Sequence, residues 1–265
     1  MAGTSLFSST ASFVGKTMTI TELEARKLRH EPIELLSRAV QPALWLVIFG
    51  QVFTRVPGIP TGGLPYISFL TPGILAQSAL FIAIFYGIAI IWERDLGITY
   101  KFLASPTPRE ALVLGKALSA GLRALVQGVI IYALAALLGV ALDLHPLNLL
   151  GVIAAILLGA TVFSTFSLII AALVKTREAF MGISQVLIFP LFFASNAIYP
   201  TALMPAWLQV IARLNPLSYQ VDAIRALMLV GGRSAFGLGV DFAVLLAVSV
   251  ALVIVGARLY PRVAV

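Results

Sequence analysis

The 265-residue chain has no cysteine and only two histidines, His30 and His145. Without thiols it has no disulfide framework, thiolate nucleophile or sulfur-rich metal site. The two histidines are far apart and are expected on opposite sides of a membrane, which excludes a histidine metal cluster within one chain. Charge is scarce as well. Charged residues make up 11% and hydrophobic residues 60%, against about 25% charged in an ordinary soluble domain. That composition excludes a soluble globular protein, so the length has to be counted in membrane spans of about 20 residues plus loops. Six spans fit. The first twenty residues hold Lys16 but no sustained apolar run, so a cleaved signal peptide is not expected.

Catalytic patterns are also missing. Gly15-Lys16-Thr17 completes the second half of a nucleotide-binding loop, but Thr10 stands where its first glycine belongs and no apolar strand precedes it. There is no Gly-x-Ser-x-Gly elbow, no His-Glu-x-x-His helix and no close pair of membrane aspartates. The chain is therefore read as making and breaking no covalent bonds.

What the sequence does have is long apolar runs. They cover 35–53, 66–92, a helix within 111–142, 147–174, 179–195 and 238–257. In the third, Lys116 and Arg123 suggest that the early turns project toward water, with the membrane core at 124–142; Arg38 can snorkel from the first. With the N-terminus in the cytoplasm, 14 of the 18 basic residues fall on that side and only Arg55, Arg213, Arg225 and Arg233 on the other. This asymmetry predicts both termini inside. It also explains the net charge of +7 without nucleic acid binding. The expectation is an all-α, polytopic protein of the inner or plasma membrane forming a single transmembrane domain.

Three further segments break the pattern. Residues 17–37 read as an amphipathic interfacial helix: Thr21 and Glu24 form a capping-box pattern, and Glu22–Arg26 and Glu34–Arg38 are i,i+4 pairs. A solvated helix preceding the first span fits the same pattern. Residues 93–110 carry Glu93, Arg94, Asp95 and Lys101 around Leu96, Ile98, Tyr100, Phe102 and Leu103, too apolar for a free linker, so lipid headgroups or a partner protein must cover them. Residues 196–237 should form two short helices, one from Pro205 through 206–214 and one from Pro216 to the Gly231-Gly232 break. Both are too short to cross, so the pair should lie in or dip into the outer leaflet as a re-entrant hairpin.

Glutamines followed by aromatics recur at helical spacing: Gln41, Trp45, Phe49 and Phe53; Gln77, Phe81 and Phe85; Gln185, Phe189 and Phe193. Each set keeps to one helix face. One reading is a pathway wall with a few hydrogen-bonding groups on broad apolar surface; the other is packing against lipid or neighbouring helices, with glutamines as interhelical glue. Ionisable groups that could couple ions are few. Asp241 lies three residues into the last span, as an interfacial residue near Arg233, and Asp222 and Arg225 read as an i,i+3 surface pair.

Pro42 to Phe53, Trp92-Glu93-Arg94-Asp95 with Gly97, Phe102-Leu103-Ala104-Ser105-Pro106, Asn196 through Pro205, and Leu214-Asn215-Pro216-Leu217-Ser218-Tyr219 with Arg225 together resemble the type-2 ABC exporter permeases. That group includes drug-resistance and nodulation-factor exporters. The resemblance covers essentially the whole chain. It implies a six-span subunit, working as a dimer of permeases with two separate ABC ATPase subunits. ATP and magnesium would sit on those partners, and this chain would bind no cofactor. It further implies ATPase contacts through the amphipathic helix (Glu24, Lys27, Arg29) and the first cytoplasmic loop (Glu93, Arg94, Asp95, Lys101, Phe102, Leu103). The outer hairpin would gate the pathway, through Tyr199, Pro205, Asn215, Pro216 and Tyr219. The cargo expected is an amphiphilic or lipophilic compound. A glycan or lipid-linked polymer exporter, a proton-coupled secondary transporter and a membrane scaffold are the alternatives.

Overall fold

The structure, a computed structural model, describes residues 15–19, 21–22, 39–56, 61–104, 107–174 and 176–261, without the side chains of Phe102 and Leu103. Among the described residues the regular structure is all helical, with one isolated antiparallel bridge between Leu142 and Leu229. We number the helices α1 (Ala39–Thr54), α2 (Tyr66–Asp95), α3 (Ile98–Ala104), α4 (Arg109–Leu137), α5 (Pro146–Leu173), α6 (Arg177–Phe193), α7 (Ala206–Leu214), α8 (Pro216–Met228) and α9 (Leu238–Leu259). Four of them, α2, α4, α5 and α9, are long and apolar enough to cross a membrane. α6 has 17 residues, a length of about 26 Å at 1.5 Å per residue, and α1 is shorter still.

α5 is the hub. It packs against α2, α4, α8 and α9, while α1 and α6 flank α2. Lipid supplies no hydrophobic drive between helices, so close fit has to hold such a bundle. Glycines make that fit possible on α5: a Cβ at Gly159 would meet the Gln220 amide at 2.2 Å, and one at Gly151 would meet Leu227 at 2.7 Å. α8 can therefore lie directly on α5. A large apolar core runs through α2, α4, α5 and α8; a smaller one, around Ile91, Val113, Phe180 and Tyr260, fills the end nearest α3. Apolar side chains also cover the periphery, Val129, Leu137, Leu150, Val186 and Val250 among them, as a lipid-facing belt requires.

Helix ends follow local chemistry. Pro146 and Pro216 occupy first-turn positions, and Asn215 Oδ1 accepts from the Leu217 backbone N–H at 3.0 Å to cap α8. Asp143 accepts from the His145 backbone N–H and from Asn148 Nδ2, and these bonds hold its carboxyl below the usual carboxylate range. α4 stops at Leu137, five residues before the limit expected from its apolar run. Gly139 takes φ +78°; its N–H and that of Val140 bond to the carbonyls of Ala136 and Ala135, the double closure of a Schellman cap. The residues beyond it pair with the end of α8 instead.

Three other expectations are corrected. Lys116 does not project toward water. It is buried and paired with Glu93 of α2, because a carboxylate on the neighbouring helix neutralises it inside the bundle. Thr21 does not act as the expected cap: its hydroxyl donates to the Thr17 carbonyl at 2.9 Å, whereas a capping side chain accepts from the backbone, and Glu24 lies outside the described residues. Asp222, Arg225 and Asp241 are not surface groups either. All three are buried, and Asp222 and Asp241 share Ser234, whose hydroxyl lies 2.8 Å from a carboxylate oxygen of each.

Candidate transport cleft

The glutamines of the three glutamine-aromatic sets meet at one place. Gln77, Phe81 and Phe85 of α2, Gln41 of α1 and Gln185 of α6 line a single open-sided cavity of about 480 Å³. Ile82 and Ile88 add apolar wall, and Ser78, whose hydroxyl is spent on the Ile74 carbonyl, adds little polarity. The spacing explains the convergence. Gln77, Phe81 and Phe85 advance by four residues, one turn and a small rotation, so they descend one strip of α2. Among the described residues, none of the lining side chains is charged.

The structure also adds a residue to this wall. Gln127 of α4 lines the same cavity and is 1% exposed. No aromatic follows it at i+4 or i+8, where Ile131 and Ala135 stand, so the pattern that marks the other glutamines is missing there. A polar residue in the middle of an apolar run was the only available signal.

Trp45, Phe49 and Phe189 do not line the cavity. Trp45 stacks on Phe49 at 4.4 Å and meets Phe192 of α6 edge-on at 6.0 Å. Ring contacts continue from Phe49 to Phe53, Tyr66 and Phe69. The Arg225 guanidinium lies over Phe69 at 3.9 Å, and its Nη2 donates to the Asn196 carbonyl at 2.7 Å. An aromatic ladder thus joins α1 and α2 to the α7–α8 hairpin. Phe189 stacks on Phe193 on the outer side of α6 and is exposed.

At the hairpin end the sequence-marked residues form joints. Asn215 Nδ2 donates to the carbonyls of Leu191 and Ala194, fastening the start of α8 to the end of α6. Tyr199 donates to the Phe193 carbonyl and Tyr219 to that of Arg213. Pro205 and Pro216 set the starts of α7 and α8. The two helices differ in burial: Leu217, Val221, Ile224 and Met228 of α8 are fully enclosed, whereas Trp207, Val210 and Leu214 of α7 are exposed.

At the α3 end, α2 finishes in a charged cluster. Glu93 turns inward to Lys116 of α4, and Arg94 Nη1 donates to the Val174 carbonyl after α5 at 3.1 Å. Asp95 accepts from Arg177 of α6 through Nη2 at 2.7 Å and Nε at 3.1 Å. The Arg177 guanidinium also covers the Trp92 ring at 4.9 Å. These contacts tie α2 to α4, α5 and α6 just before Gly97, at φ +70°, turns the chain into α3. Lys101 on α3 is exposed. Glu24, Lys27 and Arg29 lie outside the described residues.

Four bilayer-length helices around a shared core define a multi-pass membrane protein. The chain belongs to the ABC-2 type transporter family, whose model matches residues 16–229. Membership of this group implies an ATPase partner. Among its relatives, ycf38 of Cyanophora paradoxa, a transport permease by its name, is 32% identical over 207 residues, covering 76% of this chain and 70% of its own. The daunorubicin resistance ABC transporter permease protein DrrB1 of Streptomyces coeruleorubidus is 29% identical, covering 95% of this chain and 87% of its own. Nodulation protein J of Rhizobium leguminosarum bv. trifolii is 32% identical, with 74% of each chain covered.

Proposed function

We propose that this chain is the membrane half of an ATP-driven exporter that carries an amphiphilic or lipophilic compound out of the cytoplasm. In this reading α1, α2, α4, α5, α6 and α9 make six crossings, both termini are cytoplasmic, and the α7–α8 hairpin closes the outer end. Two copies of the chain work with two ATPase subunits, which bind ATP and magnesium. α3 and the N-terminal amphipathic helix dock on the ATPase, and the cleft at Gln41, Gln77 and Gln185 carries the cargo. The observation that carries the proposal is that glutamines from three separate helices converge with Phe81 and Phe85 on one cleft, as a wall for an amphiphile requires. The DrrB1 relative, named for daunorubicin resistance, supplies a cargo to try.

The test is reconstitution of the permease with its ATPase subunit in inside-out vesicles. ATP-dependent accumulation of at least one member of a panel of amphiphiles, with daunorubicin and uncharged alkyl glycosides among them, is expected. Uptake driven by a proton gradient alone, with no requirement for ATP, would sink this reading in favour of a secondary transporter.

A further inference from the structure

The export reading leaves the chemistry of the cargo open. The cleft itself narrows it, and the argument here rests on that reading only for the direction of travel. Gln127 is 1% exposed, yet neither its Oε1 nor its Nε2 has a hydrogen-bond partner. Burying an amide unpaired is costly, and most buried polar groups avoid it. Gln220 is also buried with its amide unpartnered, but it lies pressed on Gly159, in the position of a packing residue. Gln127 instead lines a cavity of about 480 Å³ that Gln77 of α2, 4% exposed, also lines.

We infer that this amide pair, Gln127 with Gln77, binds the uncharged polar head of the cargo, through hydroxyl or amide groups that both donate and accept hydrogen bonds. Each side-chain amide offers an acceptor oxygen and a two-proton donor, so the pair matches groups with both capacities. Phe81, Ile82, Phe85 and Ile88 take the apolar tail along the same strip of wall. A carboxylate, sulfate or quaternary ammonium head would enter a low-dielectric site in which, among the described residues, no lining side chain carries a compensating charge. The cleft therefore selects neutral heads, and α4 joins α1, α2 and α6 as part of its wall.

The experiment measures equilibrium binding of three radiolabelled amphiphiles with one common dodecyl chain: a glucoside, a trimethylammonium and a sulfate. Each is titrated onto the full chain in phosphatidylcholine nanodiscs, with empty discs subtracted. The glucoside should bind at least about tenfold more tightly than either charged probe, equivalent to about 1.4 kcal/mol. Gln127→Leu should remove about tenfold of glucoside affinity without lowering the melting temperature, and Gln127→Glu should shift the preference to trimethylammonium. Unchanged glucoside binding in Gln127→Leu, or tighter binding of a charged probe by the wild type, overturns the inference. Should Gln127→Leu fail to reconstitute, the head-group preference of Gln127→Glu decides alone, and a preference unmoved from wild type is a refutation. ATP-dependent export with glucoside binding indifferent to Gln127 rejects this inference and keeps the export reading. Head-group selectivity with no ATP-dependent flux does the reverse.

Discussion

Glu93 and Lys116 are both almost completely buried, and each is the other's ion-pair partner. Removing one member of such a pair leaves an uncompensated charge inside the bundle, at a cost of about 3–5 kcal/mol, whereas replacing both with apolar groups of similar volume is often neutral. Lys116→Met and Glu93→Leu should each lower the unfolding midpoint of the purified permease strongly, and the double substitution should recover most of the loss. A double variant as unstable as the sum of the singles would mean that the residues act independently. Gly73 makes a different kind of contact. A Cβ there would meet the Ala197 carbonyl oxygen at 2.2 Å, and a backbone atom cannot move aside as a side-chain tip can. Gly73→Ala should therefore cost about 1–3 kcal/mol, read as a lower melting temperature; a neutral effect would show that the loop after α6 gives way freely. In the cleft, Gln77→Leu combined with Gln185→Leu should change cargo affinity or selectivity more than assembly. Normal transport with poor assembly would make the glutamines structural glue.

Elements differ in how far their sequence specified them. The start of α8 was legible because Asn215 and Pro216 act locally: the side-chain cap and the fixed proline φ need nothing from the rest of the fold. The end of α4 was not legible. Gly139 is one glycine in a long apolar run, and the cap it makes is favoured only because residues 140–142 can pair with the end of α8. Long-range partners hid other features in the same way. Nothing near Lys116 in sequence announces Glu93, and Asp222 reads as the partner of Arg225 until the loop at Ser234 folds over it. For the cleft, the periodicity of α2 marked Gln77, Phe81 and Phe85, but equal spacing in α1 and α6 marked Trp45, Phe49 and Phe189, which face other rings. Spacing identifies a face without saying what that face meets. The same distinction bears on energy coupling through α3. Arg94 holds the Val174 carbonyl, so Arg94→Glu perturbs the bundle as well as the surface, and exposed Lys101 gives a cleaner reversal of charge. Lys101→Glu and Phe102→Ala should insert normally but lose ATPase binding or leave hydrolysis uncoupled from export, with about 2 kcal/mol or more of binding lost if the Phe102 ring is a hot spot. Co-purification with the ATPase and transport in vesicles are the measurements; wild-type behaviour of both variants in both assays rejects α3 as the coupling element.

At the scale of the whole molecule, the number of crossings is decided by α1 and α6. α2, α4, α5 and α9 have 22 residues or more, so each can span about 30 Å of hydrocarbon on its own. α6, at 17 residues, spans it only with help from its flanks, and α1 is similar. Both ends of α6 are provided for. Arg177, fixed by Asp95 and covering Trp92, anchors one end among charges, and the carbonyls of Leu191 and Ala194 at the other end are bound by Asn215. An end satisfied by protein does not have to reach water. With α6 crossing on this argument and α1 crossing beside it, the proposed count becomes six, and both termini are then expected on the side carrying Arg94, Lys101 and Arg109. The absence of native cysteine makes the test clean, since any thiol introduced is the only one. With a membrane-impermeant maleimide on intact cells, Thr201→Cys should label at once, whereas Ala2→Cys, Lys101→Cys and Val265→Cys should label only after lysis. Labelling of Val265→Cys but not Ala2→Cys in intact cells would give an odd number of crossings, and α1 or α6 would then have to enter and leave the membrane on the same side.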